Sequence, residues 1–410
     1  MVQTSNAPEP GSERTAVGPW PWLFLVLGSF FRVAWPLDME WKSDEKWMFA
    51  KALAIATGQA PWPWIGVPSG VGLHNPGLSI WPFALLAHLT HDPVAMAQAV
   101  QWLNVLAVWG FVFWVRRTWP ADERALGLWG CALYAVSPLS VLFSRKLWAQ
   151  DLLVVLVLPW LWGHRRRTQA WGAALWGLSG ALLGQIHMSG FFAAAALLLA
   201  TLWVDRGVRF KVRAWLAGSA VGLLPMIPWL RFVLSPEAQV HDDGSFSLQF
   251  FSAALLHAWG LGLRYSLGDA YAQMLSGPEL AGVATHFAAA AQYALLALPL
   301  LVLVQQPRDG VRALIPEPVR LYGACVVIVG LGLCALRVAG LPHYLIVFGP
   351  MLHIAAAWTM ASKRWAIISL CGLQAFLAAC CLLFVHAHGG APEGDYGKAY
   401  RAQTLEERAY

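Results

Sequence analysis

Charge is what this sequence has least of. Only 12% of its 410 residues are Asp, Glu, Lys or Arg, against roughly 25% in a soluble protein. An ordinary soluble globule is excluded. Cysteine is scarce in any functional pattern as well. Cys131, Cys325, Cys334, Cys371, Cys380 and Cys381 all lie in apolar runs. None is spaced with His as a metal-ligand set, so they read as small buried hydrophobes. No Ser sits in a nucleophile-elbow context. No internal repeat is visible, which speaks against a transporter built from inverted halves. No cleavage site follows a short apolar core, so the first apolar segment is expected to be a retained signal anchor. The net charge of +6 is not a nucleic-acid signal, because the basic residues cluster in short turns between apolar segments.

What is there is apolar. The chain is 58% hydrophobic and carries 24 Trp. Its apolar runs recur near the ~20 residues needed to cross a bilayer. The reading is an all-α polytopic membrane protein with about eleven transmembrane helices. The expected segments are 19–37, 95–115, 125–142, 150–163, 169–186, 189–204, 214–233, 285–304, 320–338, 342–361 and 365–386. Pro225 and Pro228 predict a kink in the seventh. Residues 1–17 form an N-terminal tail, 18–386 the membrane module and 387–410 a C-terminal tail. A first outer loop covers 38–94 and a second 235–283. The positive-inside rule orients the chain. With the N-terminus cytoplasmic, the inner turns receive Arg14, Arg116, Arg117, Arg124, Arg165, Arg166, Arg167, Arg206, Arg209, Lys211, Arg213, Arg308, Arg312, Arg320, Lys363 and Arg364. That is most of the chain's basic residues, with only a minority of its acids. Both long loops and the C-terminal tail then face outside.

The first outer loop concentrates acid in an acid-poor chain: Asp38, Glu40, Asp44 and Glu45. Ser43 is a good N-cap, with Asp44 and Glu45 in the first turn, where the helix dipole favours negative charge. The helix should end at Gly58. Met48, Ala52 and Ile55, with Phe49 and Leu53, mark one face of a helix lying on the membrane surface. Pro61-Trp62-Pro63-Trp64 cannot be regular helix and reads as an interfacial aromatic anchor. The apolar run after Asn75-Pro76-Gly77 is short for a crossing and reads as a second surface or re-entrant helix. Asp38 and Glu40 read as the interfacial end of the first membrane helix. Arg32, inside that helix, either snorkels or partners the site.

Five polar groups converge on the outer face in this topology: Asp44-Glu45; Arg145-Lys146 with Asp151; His187; Arg264-Tyr265; and Arg337 with His343-Tyr344. A carboxylate can take the proton from an attacking hydroxyl. Cations can hold a lipid phosphate and offset the charge that grows on it as it leaves. Each residue also has an ordinary structural role open to it, as cap, anchor or packing. Asp242-Asp243 reads as solvated loop.

The order of these features resembles the GT-C-type membrane glycosyltransferases. These features are an outer loop with Asp44-Glu45, a surface helix ending in Gly, a Pro-Gly start to a short apolar run, an Arg-Arg helix end, then a Ser-Pro turn leading to Arg145-Lys146-Leu147-Trp148-Ala149-Gln150-Asp151. The branch it looks like contains the protein O-mannosyltransferases and the lipid A aminoarabinose transferase. The resemblance implies a polyprenyl-phosphate sugar donor and transfer at the outer face of a plasma membrane, in bacteria the inner membrane. On that pattern Asp44 matches the catalytic Asp, Glu45 its partner and Asp151 the second acidic position. Leu341-Pro342-His343-Tyr344-Leu345 resembles the late segment beside the donor phosphate, with His343 where Arg is often found and Arg337 able to supply the cation. The donor phosphate would meet Arg145, Lys146, His187, Arg264, Arg337, His343 and Tyr344. No metal ligand set is assigned, although related transferases leave room for a divalent metal between Asp44 and Asp151. With no soluble C-terminal domain in view, acceptor recognition falls to the outer loops or a partner. The acceptor could be a protein, a lipid or a glycan. A lipid-linked sugar transporter, a polysaccharide polymerase or ligase, and a structural subunit remain as alternatives.

Overall fold

The computed structural model describes residues 18–68, 72–205, 207, 209–236, 247–305 and 315–409. Arg14, Arg206, Arg308, Arg312 and the Asp242-Asp243 pair lie outside the described residues. Nineteen α-helices follow one another among those described. The chain opens with α1 (Trp20–Val33), and the first loop region holds α2 (Ser43–Ala56) and α3 (Trp81–Ala87). Then come α4 (Pro93–Thr118), α5 (Arg124–Val136), α6 (Pro138–Leu142), α7 (Leu153–Arg165), α8 (Ala170–Ile186), α9 (Ser189–Val204), α10 (Val212–Leu223) and α11 (Ile227–Val233). The second half holds α12 (Gln249–Ala258), α13 (Arg264–Leu267), α14 (Ala270–Ser276), α15 (Phe287–Val304), α16 (Glu317–Ala335), α17 (Gly349–Met360), α18 (Arg364–His388) and α19 (Leu405–Arg408). The sheet content described is three antiparallel two-stranded pairs.

Every one of the eleven apolar segments contains a helix. Five of them are long and apolar enough to cross a bilayer by length and composition: α4, α10 with α11, α15, α16 and α18. The proline kink appears as a 3-10 turn at Leu224–Met226 that separates α10 from α11. The segment expected as one helix over 342–361 is divided. Pro342–Phe348 is 3-10, and α17 starts only at Gly349, with Pro350 in its first turn. After Asn75 the chain makes a short turn and then the seven residues of α3. Such a helix spans about 10 Å and cannot cross a ~30 Å core. The second outer loop is less loop-like than its composition suggests. It contains α12, α13 and α14, and α12 buries Phe250, Ala253 and Ala254.

Close packing needs small residues, since lipid supplies no hydrophobic drive between helices. On α10, a Cβ at Gly218 would lie 2.0 Å from the Ala174 carbonyl of α8, and one at Gly222 2.8 Å from that of Leu178. These glycines let the two helices meet backbone to backbone. Helix ends are closed by buried arginines. Arg32 on α1 donates to the carbonyls of Gly28 (2.9 Å), Tyr134 (3.3 Å) and Ala135, the last two in the final turn of α5. It therefore neither snorkels nor faces an acid; a cation at a helix C-terminus satisfies carbonyls that lack partners.

The two ends of the bundle differ in composition. One gathers the basic turns: Arg165 meets Glu317 at 2.7 Å and Glu123 at 3.9 Å, and Arg167 pairs with Asp205. The other carries the first loop, the turn before α7, His187 and His343.

Candidate functional site

The site begins with α2. Its N-cap is Lys42, in extended conformation, and Ser43 is already helical. The expected Ser43 cap is replaced by a different device. Glu45 Oε2 reaches back to accept from the Lys42 amide at 3.1 Å, satisfying a donor exposed at the helix start. The helix ends as expected: Gly58 has φ +74, a left-handed conformation that suits glycine. The anticipated face is buried, with Met48, Phe49, Ala52 and Ile55 all covered.

Glu40 is not the interfacial end of the first helix. Its carboxylate is buried and bridges Lys42 at 2.6 Å and Lys146 at 2.9 Å. Lys146 is buried too. Its ammonium lies 3.6 Å from the Trp148 ring centroid and 4.0 Å from Glu45. Burial alone would lower the Lys146 pKa, but Glu40, Glu45 and Asp151 around it together raise it. Glu45 moves the other way for a carboxylate. Burial first, and the neighbouring Glu40 second, push it up to about 7. Glu40, closer to the ammonium, is the counter-ion; Glu45 is the carboxylate left over. Asp151 is fully buried, and its two carboxylate oxygens meet no hydrogen-bond partner among the described residues.

Trp148 joins the parts. Its Nε1 donates to Asp44 Oδ2 at 3.0 Å, its face carries Lys146, and the His343 ring packs against it with centroids 5.1 Å apart. Asp44 itself is exposed at the rim. His343 in turn lies 3.5 Å from the Tyr265 hydroxyl, 4.7 Å from the Tyr344 ring and 5.8 Å from His187. His187 Nδ1 is 2.8 Å from Ser189 Oγ. Burial pulls the His187 pKa down to about 4 and that of His343 well below its usual value, the latter helped by His187, Lys146 and Lys42. Both imidazoles are neutral near pH 7. They offer hydrogen bonds, not positive charge. Burial raises the pKa of Tyr265, which stays a hydroxyl donor.

Four of the cations expected at a donor phosphate separate into two kinds. Arg145 is buried and donates to the carbonyls of Phe31 (2.6 Å), Arg32 (3.1 Å) and Trp35 (3.2 Å). It holds the C-terminus of α1, and its Nη groups are occupied there. Lys146 is enclosed by acids. Arg264 and Arg337 are exposed. Arg337 stands at φ +55, just after α16. That left-handed position favours glycine and costs an arginine about 1 kcal/mol.

The C-terminal tail completes the wall. Tyr400 N donates to Met39 O at 3.0 Å, Gln403 Nε2 to Trp41 O at 2.5 Å and Trp41 Nε1 to Arg408 O at 3.2 Å. Asp395 meets Lys42 at 2.9 Å, and Asp38 is held by His386 at 2.7 Å and by Arg401. Sequence reasoning missed Glu40, Trp148 and this tail. The one signal available was Lys146 itself, since a buried lysine demands counter-charge. Among the described residues no three His, Cys, Asp or Glu side chains converge as a metal-ligand set. Lys146 already provides the positive charge among Glu40, Glu45 and Asp151, so the arrangement does not fit a divalent ion there.

No family model matches the chain, and no curated protein matches it by sequence. Solved structures do. The crystal structure of ArnT from Cupriavidus metallidurans bound to undecaprenyl phosphate matches at TM-score 0.50 and 16% identity, over 90% of this chain and 65% of that one. ArnT in the apo state matches at 0.43 and 16%, over 87% and 77%. The Archaeoglobus fulgidus oligosaccharyltransferase matches at 0.44 and 12%, over 96% and 56%. The chain thus spans just under two-thirds of the length of the undecaprenyl-phosphate-bound ArnT. At such identity the likeness is one of fold, and the chain has the GT-C-type membrane fold.

Proposed function

We propose that this chain is a multi-pass membrane glycosyltransferase. It moves a sugar from a polyprenyl-phosphate donor to an acceptor hydroxyl at the outer face, in one inverting displacement. The observation that carries the reading is Asp44: exposed on the first turn of α2, held at 3.0 Å by Trp148, whose ring face carries Lys146 of the buried Glu40–Lys146 pair. The fold it shares with ArnT, whose structure holds undecaprenyl phosphate, supports the donor class.

Asp44 takes the proton of the acceptor hydroxyl. The oxygen forms its bond to the anomeric carbon, and the bond from that carbon to the phosphate oxygen breaks, its electron pair leaving with the polyprenyl phosphate. Arg264 and Arg337 supply positive charge toward the departing phosphate, while Tyr265, Tyr344, His187 and His343 supply hydrogen bonds and ring surfaces. Lys146 and Glu45 act behind Asp44. They fix the loop and set the field in which it works. Arg145 locks α1 beneath them. Asp151 is the second acidic position, buried behind Lys146. We assign no step to a metal.

The test is reconstitution with a polyprenyl-phosphate sugar, comparing the wild type with Asp44→Asn. Transfer should fall by about 10²–10⁴-fold. Unchanged transfer by a folded Asp44→Asn protein removes the mechanism. Movement of the lipid-linked sugar across the membrane without release of polyprenyl phosphate would assign the chain to transport instead.

A further inference from the structure

The opposite end of the bundle carries a feature the proposed reaction does not use. A cavity of about 480 Å³ opens between α1, α4 and the start of α5. Its walls are Trp22, Trp109, Val112 and Phe113, and its mouth is set with Arg116, Arg117 and Arg124. The two tryptophans stack at 6.4 Å. The Arg116 guanidinium lies 5.9 Å from the Trp22 ring centre and that of Arg117 4.9 Å from Phe113. Arg124 is steadied by a 3.0 Å bond from its Nε to the Trp119 carbonyl.

Orientation signals need only be basic. These three arginines differ from their neighbours in what they face. Arg165 and Arg167, at the same end, are paired with Glu123, Glu317 and Asp205. Among the described residues no carboxylate pairs with Arg116, Arg117 or Arg124. Below them the surface turns apolar, with Val26 and Phe30 of α1 and Trp102 and Leu106 of α4 exposed along the helices. A guanidinium rim above an aromatic cleft that continues as an exposed apolar ridge matches an amphiphile with an anionic head and a hydrocarbon tail. Basic pockets between membrane helices take such headgroups, and arginine suits phosphate through its planar fork of donors.

We infer that this cleft binds an anionic phospholipid of the leaflet at the basic end. The phosphate sits among Arg116, Arg117 and Arg124, and an acyl chain runs over Trp22 and Trp109. The site is separate from the donor site and has no part in the transfer chemistry.

The full chain, delipidated in detergent, is titrated with phosphatidylglycerol, with phosphatidylcholine of the same chains and with glycerol 3-phosphate, and bound species are counted by native mass spectrometry. Phosphatidylglycerol should be retained, phosphatidylcholine should not, and glycerol 3-phosphate should fail to displace the lipid. Each Arg→Gln change at 116, 117 or 124 should weaken retention about fivefold, and the triple change roughly a hundredfold. The triple Arg→Lys protein keeps the charge and should stay within about fivefold of wild type. Equal retention by the triple Gln protein overturns the inference, as does equal binding of phosphatidylcholine. Displacement by glycerol 3-phosphate would make it a soluble-anion site. A Lys triple variant as weak as the Gln one would trace the retention to the guanidinium fork and not to charge alone. A dimer that forms without lipid and separates in the Gln triple variant would give the cleft to a second copy.

Discussion

At one end of the bundle a lysine is buried among three acids; at the other, some arginines rest on aromatic rings and others pair with acids. Lys146 is 1% exposed and Glu45 not at all. The Arg165 side chain is 13% exposed and its partner Glu317 28%. A pair that keeps some solvent, as Glu317 does, is worth less than a fully dry one. A dry cluster is strongly coupled, because removing one member leaves another charge uncompensated. The contrast separates a region whose charges are tuned from one whose charges label a side of the membrane.

The largest expected effect lies at the dry end and concerns rate. Asp44→Asn should lower transfer by about 10²–10⁴-fold while leaving the thermal unfolding of the purified protein almost unmoved, because Asp44 is exposed. If stability falls with activity, Asp44 belongs to the structure and the comparison loses its functional half. Next in size is Lys146→Ala. It strands Glu40 in a buried site and should destabilise by about 3–5 kcal/mol. Arg165→Ala, at the wet end, should cost about 1–2 kcal/mol in the same measurement. Equal losses would erase the distinction between the ends.

A pH series sharpens it further. The Glu45 pKa is raised from 4.5 to about 7. The folded state therefore holds a proton that the unfolded chain releases at lower pH. Its stabilising contribution is complete below about 4.5 and is lost as pH rises through about 7, a change of about 3 kcal/mol. Glu45→Gln mimics the protonated form and should flatten the stability profile across that window. An unaltered profile would place the titration elsewhere. The smallest effect is expected at Arg337. Arg337→Gly relieves the left-handed backbone and should stabilise by roughly 0.5–1 kcal/mol, yet transfer should fall if the proposed phosphate role of Arg337 holds. A variant both more stable and fully active would remove Arg337 from the site.

The helices were legible because long apolar runs leave few alternatives. Gly58 as the end of α2, the break at Pro225 and Pro228 and the short helix after Asn75 were legible for local reasons. The site was legible in part. Asp44-Glu45 and the segment from Arg145 to Asp151 carry a local order that marks them. Glu40 was misread because its partner Lys146 lies 106 residues away, and no spacing rule reaches that far. Arg145 looked like a free cation because sequence cannot show that its donors close the end of α1. His187 and His343 looked chargeable because burial, which makes them neutral, is a property of packing. Lys42 displaced Ser43 as the cap because Glu45 could reach back to its amide, a choice between neighbours that propensity alone does not resolve.

The tail that lies on the first loop has a consequence in time. Lys42 and Trp41 find partners 353 and 367 residues later. At about 5–20 residues per second of synthesis, the loop is made roughly 20–70 s before the strands and turns that cover it. During that interval Asp38 and Lys42 are in place without Arg401 or Asp395. The nascent chain therefore passes through a stage with this corner still open, which closes once Asp395, Arg401 and Arg408 have been made.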